Sequence, residues 1–237
     1  GGDVVNDYFM KKIQYLLKDF LGRSYAVSVG IPYTDSINYL SMFDHVFVRS
    51  KTDYNLTAEI IGEENVTFIN DAAFSIQVPS IKRIVTPFTR IGICLAQPYF
   101  HNNIHKRLLI NSFIKSLQNI YESNNNIEFH LVPFNQMTHS HHECDFIIND
   151  AIENKLQKRG IPVVNHSELN SPLKILSFFQ RNLDMVIGMR YHSIVFSMLT
   201  NRRFIPIYVS QKIDNLLTDI NYDENYKIKL ESDDKFM

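Results

Sequence analysis

Apolar positions along the chain switch repeatedly between a helical and a strand period, and that alternation sets the expected architecture. Val5, Tyr8, Phe9, Ile13, Leu16, Leu17 and Phe20 recur at helical spacing, with Gly22 as the stop. A β-rich run over 25–29 is closed by Gly30 and Pro32, and Thr34 or Asp35 then caps a helix through about residue 43. Val46-Phe47-Val48 reads as a strand ending at Arg49-Ser50, followed by a helix over about 52–61 that stops at Gly62. Residues 66–69 form the next strand, with Asn70-Asp71 at its exit. The polar stretch 79–87, bounded by two prolines, reads as a linker.

Beyond the linker the same alternation resumes. Strands are predicted at 91–95, 129–132, 163–164, 185–187 and 204–207. Helices are predicted at 108–121, 145–158, 172–180 and 194–199, and a last one starts near Asp214. Strand–helix alternation of this kind predicts parallel-sheet α/β layers in both halves. The expected fold is therefore α/β, with an N-terminal Rossmann-like domain over 1–80, a C-terminal one over 88–220, and a polar tail over 221–237 that crosses back or frays. Three strands are few for a parallel sheet buried on both faces. The first domain is thus expected to be incomplete, with a strand preceding Gly1.

Composition narrows the function classes. The formal net charge of -1 supplies no electrostatic footprint for nucleic acid or an anionic membrane surface. No apolar run reaches the length of a membrane span. Cys94 and Cys144 are the only cysteines and lie far apart, so no disulfide framework is expected and a reducing, cytoplasmic setting fits best.

The chemistry concentrates at Gly188-Met189-Arg190-Tyr191-His192-Ser193, where a buried strand turns into a helix. Open α/β sheets bind ligands outside the carboxyl ends of their strands. A helix N-terminus there favours anions. Arg190 suits a carboxylate or phosphate held through two parallel hydrogen bonds, and His192 suits proton transfer near neutral pH. The same residues equally suit a structural Arg paired to a neighbouring carboxylate and a His capping the helix. A second constellation, His139-Ser140-His141-His142-Glu143-Cys144, holds metal-ligand types but matches no zinc spacing, so no metal is expected and a surface loop is preferred. His101 and His105 flank the loop after the 91–95 strand and are weaker ligand candidates.

Several segments, taken in order, resemble the polysaccharide pyruvyl transferase family. The densest is Leu183 to Ser193, similar to the family's apolar strand, Arg-Leu-His and small-residue helix, with Tyr191 in place of Leu. Pro206-Ile207-Tyr208-Val209-Ser210-Gln211-Lys212 is similar to a proline, apolar strand and Tyr-x-x-Lys segment, with Tyr208 and Lys212 one residue further apart. Val46 to Ser50 resembles a strand with a terminal Arg, without the acidic residue that usually follows. Asn70-Asp71-Ala72-Ala73-Phe74 resembles a Pro-Asp-Pro-Ala-Phe segment with both prolines lost, and Gly1-Gly2-Asp3 the end of a Gly-rich loop.

That resemblance implies two Rossmann-like domains facing a cleft, as in GT-B glycosyltransferases. It implies transfer of a pyruvyl group from phosphoenolpyruvate, as donor substrate and without a cofactor, to a sugar or glycan acceptor as a cyclic ketal. On that reading His192 and Arg190 are catalytic, and Arg49, Lys212, Gly1, Gly2, Asp71 and Ser193 bind substrate. Arg49 equally suits a structural ion pair, Lys212 a solvated helix start, and Asp71 a turn or cap. Two other functions share the architecture: a GT-B-type glycosyltransferase using a nucleotide-sugar, and a non-catalytic glycan-binding relative.

Overall fold

The structure is a computed structural model that describes residues 5–31, 34–97, 103–136, 143–208 and 210–230. Its elements in chain order are α1 (Asp7–Leu17), β1 (Tyr25–Val29), a 3₁₀ helix (Thr34–Met42), β2 (His45–Val48), α2 (Lys51–Ile61) and β3 (Val66–Phe68). Then follow β4 (Thr89–Cys94), α3 (Asn103–Ser123), β5 (Ile127–Leu131), α4 (Asp145–Gln157), β6 (Val163–Asn165) and α5 (Pro172–Asn182). The last are β7 (Met185–Gly188), α6 (Tyr191–Leu199), β8 (Arg203–Tyr208), α7 (Gln211–Asp219) and β9 (Ile228–Lys229). Short 3₁₀ turns intervene at Glu63–Asn65, Ala72–Ser75 and Glu224–Tyr226.

The chain divides into two compact units, Gly1–Ile76 with Val209–Asn225, and Gln77–Tyr208 with Tyr226–Met237. The expected second domain over 88–220 included the last helix, and the tail was expected to begin at 221. Instead α7 groups with the first unit. It packs on α2, where Asn215 Nδ2 donates to Ser50 Oγ (3.3 Å) and Lys51 N donates to Asp219 Oδ2 (3.1 Å). The chain then returns, and β9 pairs with β8 at the edge of the second sheet. The expected linker belongs with the second unit: Ile84 N donates to Arg181 O, and Arg83 pairs with Asp184.

In the first unit a three-stranded parallel sheet runs in the order β1-β2-β3. Its core holds Val5, Met10, Ala26, Val29, Ile37, Leu40, Val46, Val48 and Val66. Two expectations fail here. The stripe assigned to α1 is rotated: Met10 is its buried residue and Ile13 packs on the core, whereas Tyr8, Leu16 and Phe20 are exposed. The 34–42 segment is 3₁₀ rather than α. Its buried residues Ile37 and Leu40 are three apart, the spacing that eclipses in a three-residue turn, and its Ser and Asn side chains compete for backbone bonds. By contrast α2 starts where its cap predicts, with Asp53 N donating to Ser50 Oγ at 3.0 Å.

In the second unit the strand order is β6-β5-β4-β7-β8-β9, with every pairing parallel. The chain therefore works outward from β4 to β6, jumps back beside β4 at β7, and works outward on the other side. The order reverses between β4 and β7, which is the switch point where doubly wound sheets open a crevice at their strand ends. Alternate residues face opposite sides. Ile91, Ile93, Phe129, Leu131 and Ile187 pack with Ile110, Ile114 and Leu117 of α3 and with Ile148, Ile152 and Leu156 of α4. The opposite face takes α5, whose Phe178 ring lies 5.6 Å from that of His130 on β5. No helix among the described residues is long and apolar enough to cross a membrane.

Ser50 caps the start of α2 and receives α7 in one buried position. Ser50→Ala should lower stability by about 1–2 kcal/mol, more than a cap alone usually contributes in a peptide. Urea unfolding checks this, and an unchanged midpoint would show that neither bond matters.

Candidate functional site at the switch point

The site is built around a carboxylate. Asp145 opens α4 and is fully buried. Its Oδ1 accepts from Gln97 N (3.2 Å), just past β4, and from Arg190 Nη2 (2.5 Å), just past β7. Its Oδ2 accepts from Phe134 N (3.1 Å) and Asn135 N (2.8 Å), past β5, and from Arg190 Nε (3.1 Å). Asp145 N in turn donates to Asn135 O at 2.8 Å. One charge thus ties the exits of β4, β5 and β7 to the start of α4.

Arg190 sits at the N-cap position of α6, and its Nη2 also reaches Glu143 O at 3.1 Å. The two parallel bonds expected to hold a ligand anion are made to Asp145 instead. Among the described residues Nη1 has no hydrogen bond, and the side chain keeps 22% of its surface exposed. His192 lies in the first turn of α6, half-buried, with its ring 5.3 Å from that of Tyr191 at 88° and 6.3 Å from Phe196. Neither α4 nor α6 carries a side-chain cap, so two helix N-termini converge here, that of α4 beside the Asp145 carboxylate.

Ser193 corrects the sequence reading. It is wholly buried, and its Oγ donates to Arg190 O at 2.6 Å, so it locks the turn rather than facing a ligand. Gly188 exists to admit it: a Cβ there would lie 2.5 Å from Ser193 Oγ. Cys94, paired in register with Gly188, is also fully buried; burial raises its thiol pKa well above the ordinary value, with Asp145 adding to the shift. Cys94 and Cys144 carry no disulfide.

The remaining predicted residues belong to the first unit. Arg49 and Asp71 were expected to bind substrate, but they bind each other: Arg49 Nη1 donates to Asp71 Oδ2 at 3.0 Å, with the two side chains 4% and 5% exposed. Asp71 Oδ1 accepts from Ala73 N (2.9 Å) and caps a turn. Gly30 makes room for the pair, since a Cβ there would lie 2.8 Å from the Arg49 guanidinium. Lys212 is half-buried in the first turn of α7. Gly1, Gly2, His101 and the loop histidines His139, His141 and His142 lie outside the described residues, as does the side chain of His105.

Sequence reasoning missed Asp145, which it treated only as a helix start. It also missed a polar chain on the α5 side of the sheet. Glu128 Oε2 and His130 Nε2 are 3.1 Å apart, His130 Nδ1 and His166 Nε2 are 2.9 Å apart, and His166 Nδ1 and Glu168 Oε1 are 2.7 Å apart. The only signal was the period of two that puts Glu128 and His130 on one face of β5.

A doubly wound parallel sheet with an Arg-bearing turn at its switch point defines the class: an α/β protein of the Rossmann-like kind. Solved structures agree on the fold. The Gap123 glycosylation-associated complex of Streptococcus agalactiae is similar at TM-score 0.57 and 11% identity, covering 96% of this chain and 44% of that one. TarM is similar at TM-score 0.52 and 14% identity, covering 95% and 44%. An E. coli trehalose-6-phosphate structure bound with UDP-2-fluoro glucose is similar at TM-score 0.53 and 8% identity, covering 93% and 59%. The chain thus spans about half the length of the solved structures it matches. No curated protein matches its sequence. The family model for polysaccharide pyruvyl transferase matches residues 8–211, and the chain belongs to that family.

Asp145→Asn tests the mount. An amide has one acceptor oxygen, so its NH₂ would face either the Phe134 and Asn135 N–H groups or Arg190 Nη2, donor against donor. Unfolding stability should fall by about 3 kcal/mol, the scale of breaking a buried ion pair. A loss under about 1 kcal/mol would mean that the pair is dispensable.

Proposed function

We propose that this chain carries the donor site of a transferase that moves a pyruvyl group from phosphoenolpyruvate to a sugar of a glycan, forming a ketal. The observation that carries the reading is the placement of Arg190, with His192 one turn position on, at the sheet's switch point where α4 and α6 begin uncapped. Family membership supports the reaction type.

Phosphoenolpyruvate brings a carboxylate and a phosphate, so its site needs donors more than bulk. Arg190 Nη1 and the helix N-termini supply them. In the reaction a proton goes to the methylene carbon and one sugar hydroxyl adds at the neighbouring carbon. The carbon–oxygen bond to phosphate breaks with its electron pair on phosphate, and the second hydroxyl takes that place. The two hydroxyl protons balance the step, one ending in the new methyl group and one on phosphate. His192 is the group placed to move a proton, and the α6 dipole favours the charge that gathers on the departing phosphate.

A nucleotide-sugar donor is the competing reading. It rests on the shared fold alone, and fold does not decide substrate. Thermal stabilisation separates the two. Phosphoenolpyruvate should raise the melting temperature, and UDP-sugars should not. Arg190→Ala should weaken that increment by about tenfold to a hundredfold in apparent Kd, as expected for a lost charge-assisted contact. His192→Ala should keep the increment and lose about 10²–10⁴ in turnover. Stabilisation by UDP-sugars alone would sink the pyruvyl reading, and equal loss of binding and turnover in His192→Ala would make His192 a ligand rather than a proton carrier.

A further inference from the structure

The Glu128–His130–His166–Glu168 chain has a fixed appetite for protons. It contains three contacts made by four ring nitrogens: two to carboxylates and one nitrogen to nitrogen. A nitrogen facing a carboxylate must carry hydrogen. The nitrogen–nitrogen contact needs hydrogen on one side only. All three bonds are therefore made when the two rings together hold three N–H groups, which is one shared positive charge between two carboxylates. With a fourth proton both nitrogens at the 2.9 Å contact are donors, and that contact cannot survive.

What the contact holds shut is visible in the backbone. His166 follows β6 and its N donates to Leu131 O at 3.0 Å, with Leu169 N returning to His166 O. Gln136 Nε2 donates to Leu169 O at 2.7 Å, which fastens the loop after β5 to this turn. That loop carries the Phe134 and Asn135 N–H groups that hold Asp145 Oδ2, and Asp145 holds Arg190. An unbroken path of bonds thus runs from the imidazole pair to the Arg190 guanidinium within one unit.

We propose that His130 and His166 are positioning residues, forming a latch that one shared proton closes and a second proton opens, and that the latch holds the loop on which the Asp145–Arg190 mount hangs. Its bearing on function rests on the reading of Arg190 as donor ligand; the latch itself does not.

The surroundings set when the second proton arrives. Burial is the largest influence on His130 and pushes its pKa down to about 4, aided by His166 and by Arg90 on β4 and opposed by Glu128. Arg90 Nε lies 3.4 Å from Glu128 Oε2, so that carboxylate is shared. Glu168 is 64% exposed and is held below the ordinary carboxylate range, its burial being outweighed by His166 and its own backbone, with Lys174 of α5 adding to them. The Phe178 ring, 4.3 Å from that of His166, closes the α5 side. Among the described residues no three potential ligand side chains converge as a metal site, so the arrangement is a chain and not a cluster.

The sign follows. The unfolded chain takes up the His130 proton near the ordinary value of 6.5 and the folded chain near 4, so between these the unfolded state binds more protons. The latch's contribution is therefore lost as pH falls from about 6.5 toward 4.

Amide hydrogen exchange of the full chain, without ligand, tests this. Protection at Phe134, Asn135 and Leu169, corrected for intrinsic rate, should fall together by about tenfold or more between pH 6.5 and 4 relative to the strand amide of Phe129. His130→Gln, which keeps a hydrogen-bonding side chain but does not titrate, should abolish that acid limb. A second measurement needs no variant: the imidazole resonances of wild type should show His130 taking its proton near 4, far below the ordinary value of 6.5. Protection that stays flat in wild type, an acid limb that persists in His130→Gln, or a His130 imidazole titrating near 6.5 would each overturn the latch. If phosphoenolpyruvate fails to bind at any pH while the exchange pattern holds, the donor reading falls and the latch stands.

Discussion

A buried carboxylate is the constraint on which the second unit depends. Moving an ionised Asp out of water costs several kcal/mol unless its lone pairs are used, and each lone pair left without a donor leaves part of that cost uncompensated. Asp145 meets that demand with three backbone N–H groups and two guanidinium contacts, drawn from the exits of three strands. The demand works in both directions. The carboxylate is tolerated because the three exits converge, and they cannot drift apart without exposing an unpaid charge. The switch point is therefore rigid for an electrostatic reason, where the fold alone would supply only loops.

Rigidity changes what Arg190 offers a ligand. A guanidinium has five N–H groups. The contacts of Nε and Nη2 with Asp145 and the Glu143 carbonyl consume one edge. The formal charge is largely cancelled by Asp145, so an incoming anion meets the Nη1 edge and helix dipoles rather than a free cation. Such a site discriminates by geometry. On the proposed reading such a site costs little reorganisation when charge shifts onto the leaving phosphate, which is how preorganised donors favour a transition state. The imidazole chain behind β5 belongs to the same economy, because the loop it steadies supplies two of the three backbone donors to Asp145.

The elements were legible in the sequence wherever period and punctuation agreed. The strands at 25–29 and 185–187, and the helices entered through Ser50 and Pro172, stand within a residue or two of expectation. Legibility failed where a partner was distant. Arg190 and His192 were visible as a turn, but Asp145 lies 45 positions from Arg190 and His166 lies 36 from His130, and only the strand order brings them together. Arg49 and Asp71 were both named, yet their pairing needed the adjacency of β2 and β3. The apolar stripe of α1 misled for a different reason. Periodicity gives the direction of a helical face but not which face the neighbouring sheet can cover, and here Met10 and Ile13 are covered while Leu16 is not.

The two units solve the same problem with different outcomes. Each places an Arg at a strand exit and balances it with a buried Asp. In the first unit both partners are closed in, Arg49 at 4% exposure, beneath a Gly30 that leaves no further room. A ligand could reach that guanidinium only by breaking a buried pair. In the second unit the Asp is buried but Arg190 keeps 22% of its side chain open, beside a half-buried His192. Tyr191 fits this asymmetry. It is 7% exposed and its ring stands at 88° to that of His192, an edge-to-face contact, at the position where the family usually has Leu. A Leu would fill the space but not set the ring angle. The Arg-x-His turn is thus intact, and Tyr191 constrains one more degree of freedom of the His192 ring.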